Sequence, residues 1–312
     1  MALSLAQAEL YTQDKLYSGI VDVINKKSPL IARLPFEDLL GNALTINRED
    51  GDNRGSVSFR PINGTWTTSE AGISQVSFTL KILGEDADVD NFLQQTRSNV
   101  NDLMATQVRL KTKLMTEKLE DTLIYGDADV ANEFDGIYEM LDPNQILVAD
   151  DDATGAACTE ALMDELLDTV TDADPSDTVI LMNRGTRRRF SQYLRSVASY
   201  QTERDEYGAW TLLYNDFPVL VSDAMVDTEL CDGDGVFSAK TGGVTSSIIM
   251  AKLGSGDGLV GLQNGSITTE VFEKLETKDA SRTRIKWYVG TALYTVKALA
   301  AIHNITDEAW TS

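Results

Sequence analysis

The sequence carries few groups able to make or break bonds. Its two cysteines, Cys158 and Cys231, stand far apart without CxxC spacing, which excludes a zinc ribbon and a disulfide framework and leaves two small buried thiols. The single histidine, His303, cannot build a His-rich metal site, and it closes the apolar run Val296-Lys297-Ala298-Leu299-Ala300-Ala301-Ile302. A structural imidazole is expected there. Asp232-Gly233-Asp234-Gly235 spaces carboxylates as a hard cation requires, but the EF-hand pattern with its Glu at the twelfth position is not met. A solvated turn is expected, as it is for Asp150, Asp151 and Asp152, whose consecutive carboxylates point in different directions. Gly254-Ser255-Gly256-Asp257-Gly258 lacks the Lys-Ser/Thr that follows a phosphate cradle, and Ser255 is out of step with a nucleophile elbow. No catalytic residue, metal or cofactor is therefore expected.

Charge narrows the field further. The 312 residues hold 27 Lys plus Arg against 49 Asp plus Glu, a formal net charge of -22. A whole-surface binder of nucleic acid or of an anionic membrane needs the opposite sign. The basic island Arg184, Arg187, Arg188, Arg189 and Arg195 falls on one predicted helix. It suits either a local anion patch or pairing with acidic surfaces of an identical neighbour. The second use is favoured, because Asp142 to Asp177 contains eleven acidic residues and no Lys or Arg. The first thirty residues show no secretory pattern, and no run approaches 18 apolar residues, so a soluble chain made in the cytoplasm is expected.

The elements that would position these groups are legible in the periodicity. Leu5, Leu10, Tyr11, Leu16, Tyr17, Ile20, Val23 and Ile24 predict an amphipathic helix stopped by Ser28-Pro29. Ser56-Val57-Ser58-Phe59-Arg60 and Gln75-Val76-Ser77-Phe78-Thr79-Leu80 alternate as two strands of a long hairpin, with Asn63-Gly64 in a turn and Trp66 near the tip. Residues 88–125 keep a helical period without Gly or Pro, ended by Gly126 as a C-cap. Its opposite face, Arg97, Arg109, Lys113, Glu117 and Glu120, reads as solvated or partner-facing. Leu162, Leu166, Leu167 and Val170 then mark a helix. Thr178 to Met182 reads as a buried strand, and Asn183 caps a helix with Phe190, Leu194 and Val197 on its apolar side. Short strands follow at Trp210 to Tyr214, Val219 to Ser222, Val236 to Ala239 and Ser247 to Lys252. Two longer strands, Ile267 to Phe272 and Arg282 to Ile302, end the pattern, and the class is α+β.

A terminal helix and a projecting hairpin that cannot be stable alone imply one copy among many. In this order the parts resemble the HK97-like major capsid proteins of tailed bacteriophages. Phe134-Asp135-Gly136-Ile137, Leu181-Met182-Asn183-Arg184, Trp287-Tyr288-Val289-Gly290 and Val296-Lys297-Ala298-Leu299-Ala300 are the local phrases that carry the resemblance. It implies an N-arm at residues 1–43, an E-loop at 44–84, a P-domain at 85–142 with spine helix 88–125, an A-domain at 143–262, and P-domain strands with the C-terminus at 263–312. It further implies a non-enzymatic protein that assembles through hexamers and pentamers into an icosahedral shell around double-stranded DNA. Its partners would be copies of itself, a portal and a separate scaffolding protein, with no membrane and no sequence-specific DNA contact. Such a chain is made in the host cytoplasm and resides in the virion. The residues placed at contacts between copies are Trp66, Arg54, Arg60, Arg184, Arg187, Arg188, Leu16 and Tyr17. For Trp66 the bland alternative is a cross-strand core residue of its own hairpin.

Two departures from the family pattern carry expectations. Residues 49–80 contain no Lys, so Lys-Asn isopeptide welding from the E-loop is not expected. The chain reaches the N-arm at once, which implies that scaffolding is separate, removed or unnecessary. An encapsulin-type compartment shares the fold and differs in cargo. An acidic hydrolase, the rival of another class, requires a carboxylate pair that the sequence does not single out.

Overall fold

The computed structural model describes residues 28–49, 57–66, 68, 72–97, 103–130, 132–150, 152, 154–197, 199, 201–204, 210–265, 267–272, 275 and 278–310. The predicted N-terminal helix with Leu16 and Tyr17, and the loop residue Arg54, lie outside the described residues.

Ser28-Pro29, expected as a helix stop, opens a helix: the Ser28 hydroxyl accepts from Ile31 N–H, Pro29 takes the first turn, and α1 (Pro29–Arg33) follows. A short strand β1 (Phe36–Asp38) leads into β2 (Ala43–Glu49) and β3 (Ile73–Thr79), which pair antiparallel from Ala43↔Thr79 to Glu49↔Ile73. This corrects the expected hairpin. Residues 73–79 pair with 43–49, and Val57 to Arg60 form no strand. Both segments alternate, and the choice falls to the one whose alternate residues, Leu44 and Ile46, rest on the core.

Next come β4 (Lys81–Asp90), α2 (Asn91–Arg97) and α3 (Leu103–Tyr125). The predicted helix over 88–125 thus begins as strand through Asp90. The charged face of α3 is only partly solvated. Lys113 and Glu117 pair four residues apart at 3.6 Å, whereas Glu120 is buried and accepts from the Ser222 hydroxyl at 2.6 Å. Glu120 stands beside Leu119 and three and four residues before Leu123 and Ile124, inside the apolar stripe rather than opposite it.

Gly126 ends α3 for a different reason from the one expected. It does not adopt a left-handed conformation; its N–H completes a helical bond to Thr122, and Gly136 N–H donates to its carbonyl, both at 2.8 Å. A Cβ on Gly126 would strike the Phe134 and Thr122 carbonyls, and one on Gly136 would strike Gly126 and Ile124. Two glycines let the returning chain lie directly on the helix end.

The return contains α4 (Ile137–Met140), a 3-10 turn and β5 (Ile146–Val148). Then follow α5 (Glu160–Thr169), β6 (Thr178–Met182) and α6 (Arg184–Ser196), whose cap is Asn183 accepting from Thr186 N–H. The strands β7 (Gln201–Arg204), β8 (Trp210–Tyr214), β9 (Phe217–Val221), β10 (Leu230–Cys231), β11 (Phe237–Ala239) and β12 (Ser246–Lys252) complete this part. The chain closes with β13 (Leu259–Gln263), β14 (Thr268–Phe272), β15 (Ala280–Leu293) and β16 (Leu299–Ile305).

Two principal sheets result. The seven-stranded one runs β5-β16-β12-β6-β9-β8-β7; the five-stranded one runs β1-β13-β15-β14, with β4 also on β15. The closing strands of residues 263–312, expected together in the P-domain, therefore split between the two sheets. β15 stays with β4 and β14, while a 3-10 turn at Val296–Ala298 sends β16 back into the seven-stranded sheet, between β5 and β12.

The central strands are continuously buried because both faces are covered. Ile180, Met182, Ile248, Met250, Ala300 and Ile302 face α5 and α6. Val179, Leu181, Ile249, Ala251, Leu299 and Ala301 face a second core, which also holds Leu119, Leu123 and Ile124 of α3 and Val260, Leu262, Val289, Ala292 and Leu293 of the other sheet. One core thus joins both sheets around the end of α3. Gly126→Ala is expected to cost about 1–3 kcal/mol from overpacking, read as a lowered urea midpoint; Gly126→Asn, which a left-handed cap would tolerate, is expected to be no better.

Candidate assembly surfaces

The groups singled out for chemistry are occupied by the fold. Cys158 and Cys231 are free and buried, and burial pushes both thiols up to about 12. His303 is buried and held down to about 4 by desolvation, so it is neutral at pH 7, with Nδ1–H donating to the Gly235 carbonyl. Asp232 closes its own turn, accepting from Val236 N–H at 2.8 Å, with Gly235 left-handed at φ 78°. Gly254 to Gly258 carry the chain from β12 to β13. Lys252 pairs with Asp257 across that turn at 2.7 Å, and the Ser255 hydroxyl donates to Glu37. Among the described residues, no group of three or more His, Cys, Asp or Glu side chains is placed to hold a metal ion.

What the fold leaves open is surface. The root of the β2–β3 hairpin is docked: Leu44, Ile46, Val76 and Leu80 rest on the central core, Phe78 is buried, and Arg48 lies over its ring while donating to the Leu293 carbonyl. Beyond the root the apolar side chains have no cover. Val57, Phe59 and Ile62 are 104, 107 and 95% exposed, and Trp66 is 64% exposed. Burying each of the first three elsewhere is worth about 1.5–3 kcal/mol.

Trp66 is not a cross-strand core residue of its hairpin. Its indole N–H donates to the Ser58 carbonyl at 3.2 Å, and the Arg60 guanidinium lies 4.3 Å from its ring centroid while donating to the Gly64 carbonyl at 2.8 Å. The Pro61 to Gly64 turn, with Asn63 left-handed at φ 66°, closes the tip. Arg60 and Trp66 are thus brought together, and the tip keeps a defined shape while its apolar side chains face outward. Arg60 was legible as a cation near the tip, but its stacking was not.

The arginine helix is partly self-neutralised. Arg184 pairs with Asp223 at 2.7 Å, and Arg188 and Arg189 both hold Asp307, at 2.7 and 2.8 Å. Two of the residues assigned to a neighbour, Arg184 and Arg188, therefore already have acidic partners in their own chain. Arg184 and Arg188 nevertheless stay largely exposed, and Arg187 is half-buried beside them. Of the four acidic side chains of α5, Glu160 accepts from the Tyr193 hydroxyl and Asp164 from the Tyr214 hydroxyl at 2.5 Å, while Glu165 and Asp168 are exposed.

Sequence reasoning missed a charge ladder on the five-stranded sheet. Arg282 stands opposite Asp88 and Arg284 opposite Asp86 in the β4–β15 register, each in a two-pronged pair of 2.6 and 2.8 Å or 2.8 and 3.0 Å. Lys278 also reaches Asp88, and Lys286 reaches Glu270 of β14. The Arg282 and Lys278 partners hold the Asp88 carboxyl well below its ordinary range. Alternate positions 86, 88, 282 and 284 carry the signal, but only the strand register pairs them.

These features sit on a fold already known in shells. The holo-SrpI encapsulin complex of Synechococcus elongatus PCC 7942 is similar with TM-score 0.68 at 16% identity, covering 95% of this chain and 97% of that one. The capsid of a native GTA particle gives 0.63 at 12%, covering 90 and 92%, and Mycobacterium phage Bobi gives 0.62 at 12%, covering 99% of each chain. No curated protein matches. A family model described as SU10 major capsid protein matches residues 63–224, just over half of the chain. The fold and its open surfaces define a shell-forming structural protein of the HK97-like class. The chain belongs to the SU10 major capsid protein family, and as such is a component of a virion.

The ladder has a pH signature. Asp88 is held down in the folded chain, so its contribution is present above the ordinary aspartate value of about 4 and is lost as pH falls below it. Asp88→Asn is expected to lower Tm at pH 7, with the gap to the unaltered chain shrinking as the pH is taken below about 4, followed by calorimetry.

Proposed function

We propose that this protein is the head shell of a tailed phage, assembling through hexamers and pentamers into an icosahedral container for double-stranded DNA. The observation that carries the proposal is the E-loop. Its root is built into the protein's core, and its tip presents Val57, Phe59, Ile62 and Trp66 to solvent in a shape closed by Arg60. A two-stranded ribbon of this kind gains its stability from what it lies on. The surface it fits is another copy of the chain, with Trp66 and Arg60 as the aromatic and arginine anchor of the contact. Arg54 belongs to the same loop, and Leu16 and Tyr17 to an N-arm that fastens a further copy. Arg184, Arg187 and Arg188, exposed or half-exposed on α6, set register between neighbouring A-domains.

The residue boundaries 1–43, 44–84, 85–142, 143–262 and 263–312 serve as N-arm, E-loop, P-domain, A-domain and closing strands, with β16 lent to the A-domain sheet. The net charge of -22 supports a container that does not bind its DNA. A portal and a separate scaffolding protein are the other partners this reading requires. No catalytic step enters it. The family match favours the virion shell over an encapsulin-type compartment.

The experiment is assembly itself, followed by sedimentation and negative-stain imaging of variants that fold. Trp66→Ala is expected to cut particle yield at least several-fold with little change in Tm; unchanged yield would remove Trp66 from the interface. Deleting residues 1–28 is expected to leave a folded chain that no longer closes shells, and normal shells from it would refute the N-arm assignment.

A further inference from the structure

At the end of α3 the fold buries a carboxylate. Glu229, just before β10, has no solvent exposure. Hydroxyls from three separate elements donate to it: Tyr125, the last residue of α3, Tyr138 of α4 at 2.7 Å, and Ser247 of β12 at 2.5 Å. Tyr125 Oη in turn accepts Val226 N–H at 3.1 Å. The Glu229 backbone is tied to Thr245 twice, its N–H donating to the Thr245 carbonyl and its carbonyl accepting the Thr245 hydroxyl, each at 2.9 Å. A Cβ on Gly243 would collide with the Glu229 carbonyl, so the chain folds back tightly over it. One carboxylate thus fastens residues 226–247 to the helix end and to the central sheet.

The charged and titratable groups around it do not neutralise it by direct contact. Lys240 lies over the Tyr125 ring at 4.9 Å and pairs with Asp121 of α3. Cys231 and Asp232 flank it from the hairpin, and β12 contributes only the Ser247 hydroxyl. From α4 the facing group is Tyr138, whose ring packs against His303 of β16 at 5.3 Å. Glu120 of α3 is turned toward Ser222.

We propose that Glu229 is a proton-linked clasp, which holds the 226–247 segment more firmly on the end of α3 when it is protonated than when it is ionised. Burial disfavours the charged form and raises its proton affinity, and the hydroxyls of Ser247, Tyr125 and Tyr138, with Lys240, oppose that only in part. The sign follows from linkage. A carboxyl raised on folding contributes stability that is complete below the unfolded value of about 4.3 and is lost as pH rises through its folded value. His303, held at about 4, stays neutral above that and adds no opposing change there. The segment under the clasp carries the exposed side chains of Val236 and Val244.

The test is thermal unfolding of the full-length chain and of Glu229→Gln between pH 5 and pH 9, a readout independent of whether the chain builds shells. Glutamine is neutral throughout. The variant's Tm minus that of the unaltered chain is therefore expected to rise by several degrees with pH across this range. A difference that is flat or falls overturns the proposal. If Glu229→Gln does not fold, Ser247→Ala serves instead, since it removes a donor that favours the charged form. Its Tm-against-pH profile is expected to bend at higher pH than that of the unaltered chain, and a profile that differs only by a constant offset refutes the clasp.

Discussion

Burial of the last two turns of α3 between two sheets is the constraint on which the remaining structure depends. Leu119, Leu123 and Ile124 contribute to one core with both sheets, and the chain crosses between those sheets at 254–258 and again at 294–298. The crossings touch: Tyr294 N–H donates to the Gly258 carbonyl at 3.1 Å, and the Tyr294 hydroxyl reaches Glu37 at 2.8 Å. Gly126 and Gly136 let the chain return across the helix end without a gap. A close-packed joint of this kind transmits displacement instead of absorbing it. Whatever moves one sheet must move the helix end, and with it the Tyr125 hydroxyl on Glu229.

Outside that joint the design inverts. The hairpin tip and the first half of α3 are held by few buried contacts, and Val57, Phe59, Ile62, Trp66 and Leu114 remain uncovered. A protein stable in its centre and incomplete at its extensions gains free energy only by meeting other copies. Charge divides in the same way. The β4–β15 ladder neutralises one sheet face internally, whereas the acidic surplus stays dispersed over the surface, where salt screens it. In the shell proposed above, hydrophobic burial of the hairpin tip would supply the attraction, and the charge pattern would limit which approaches succeed.

Much of this was legible in the sequence where one local rule governs. β6 follows from a short apolar run, β8 and β12 were legible as short strands, and the start of α6 follows from Asn183. The capsid class follows from the order of the parts. What escaped depends on pairing between distant segments. Residues 43–49 and 56–60 alternate equally well, and only the core beneath Leu44 and Ile46 selects the first as partner of 73–79. The run from Arg282 to Ile302 reads as one strand until a 3-10 turn sends β16 to the other sheet. Glu120 carried a readable signal, its place within the apolar stripe. Glu229 carried none, because its partners come from residues 91 to 104 positions earlier and 18 later. Trp66 was legible as an aromatic near the hairpin tip, but its seat on Arg60 and Ser58 depended on the turn at Asn63.

The central claim, that the chain is completed by copies of itself, is tested most directly by the mass of the purified full-length protein. Light scattering coupled to size exclusion, with negative-stain imaging of each peak and repeated across salt and with the scaffolding protein proposed above supplied, measures it. Pentamers, hexamers or closed shells are the predicted result. A compact monomer under every one of those conditions would contradict it.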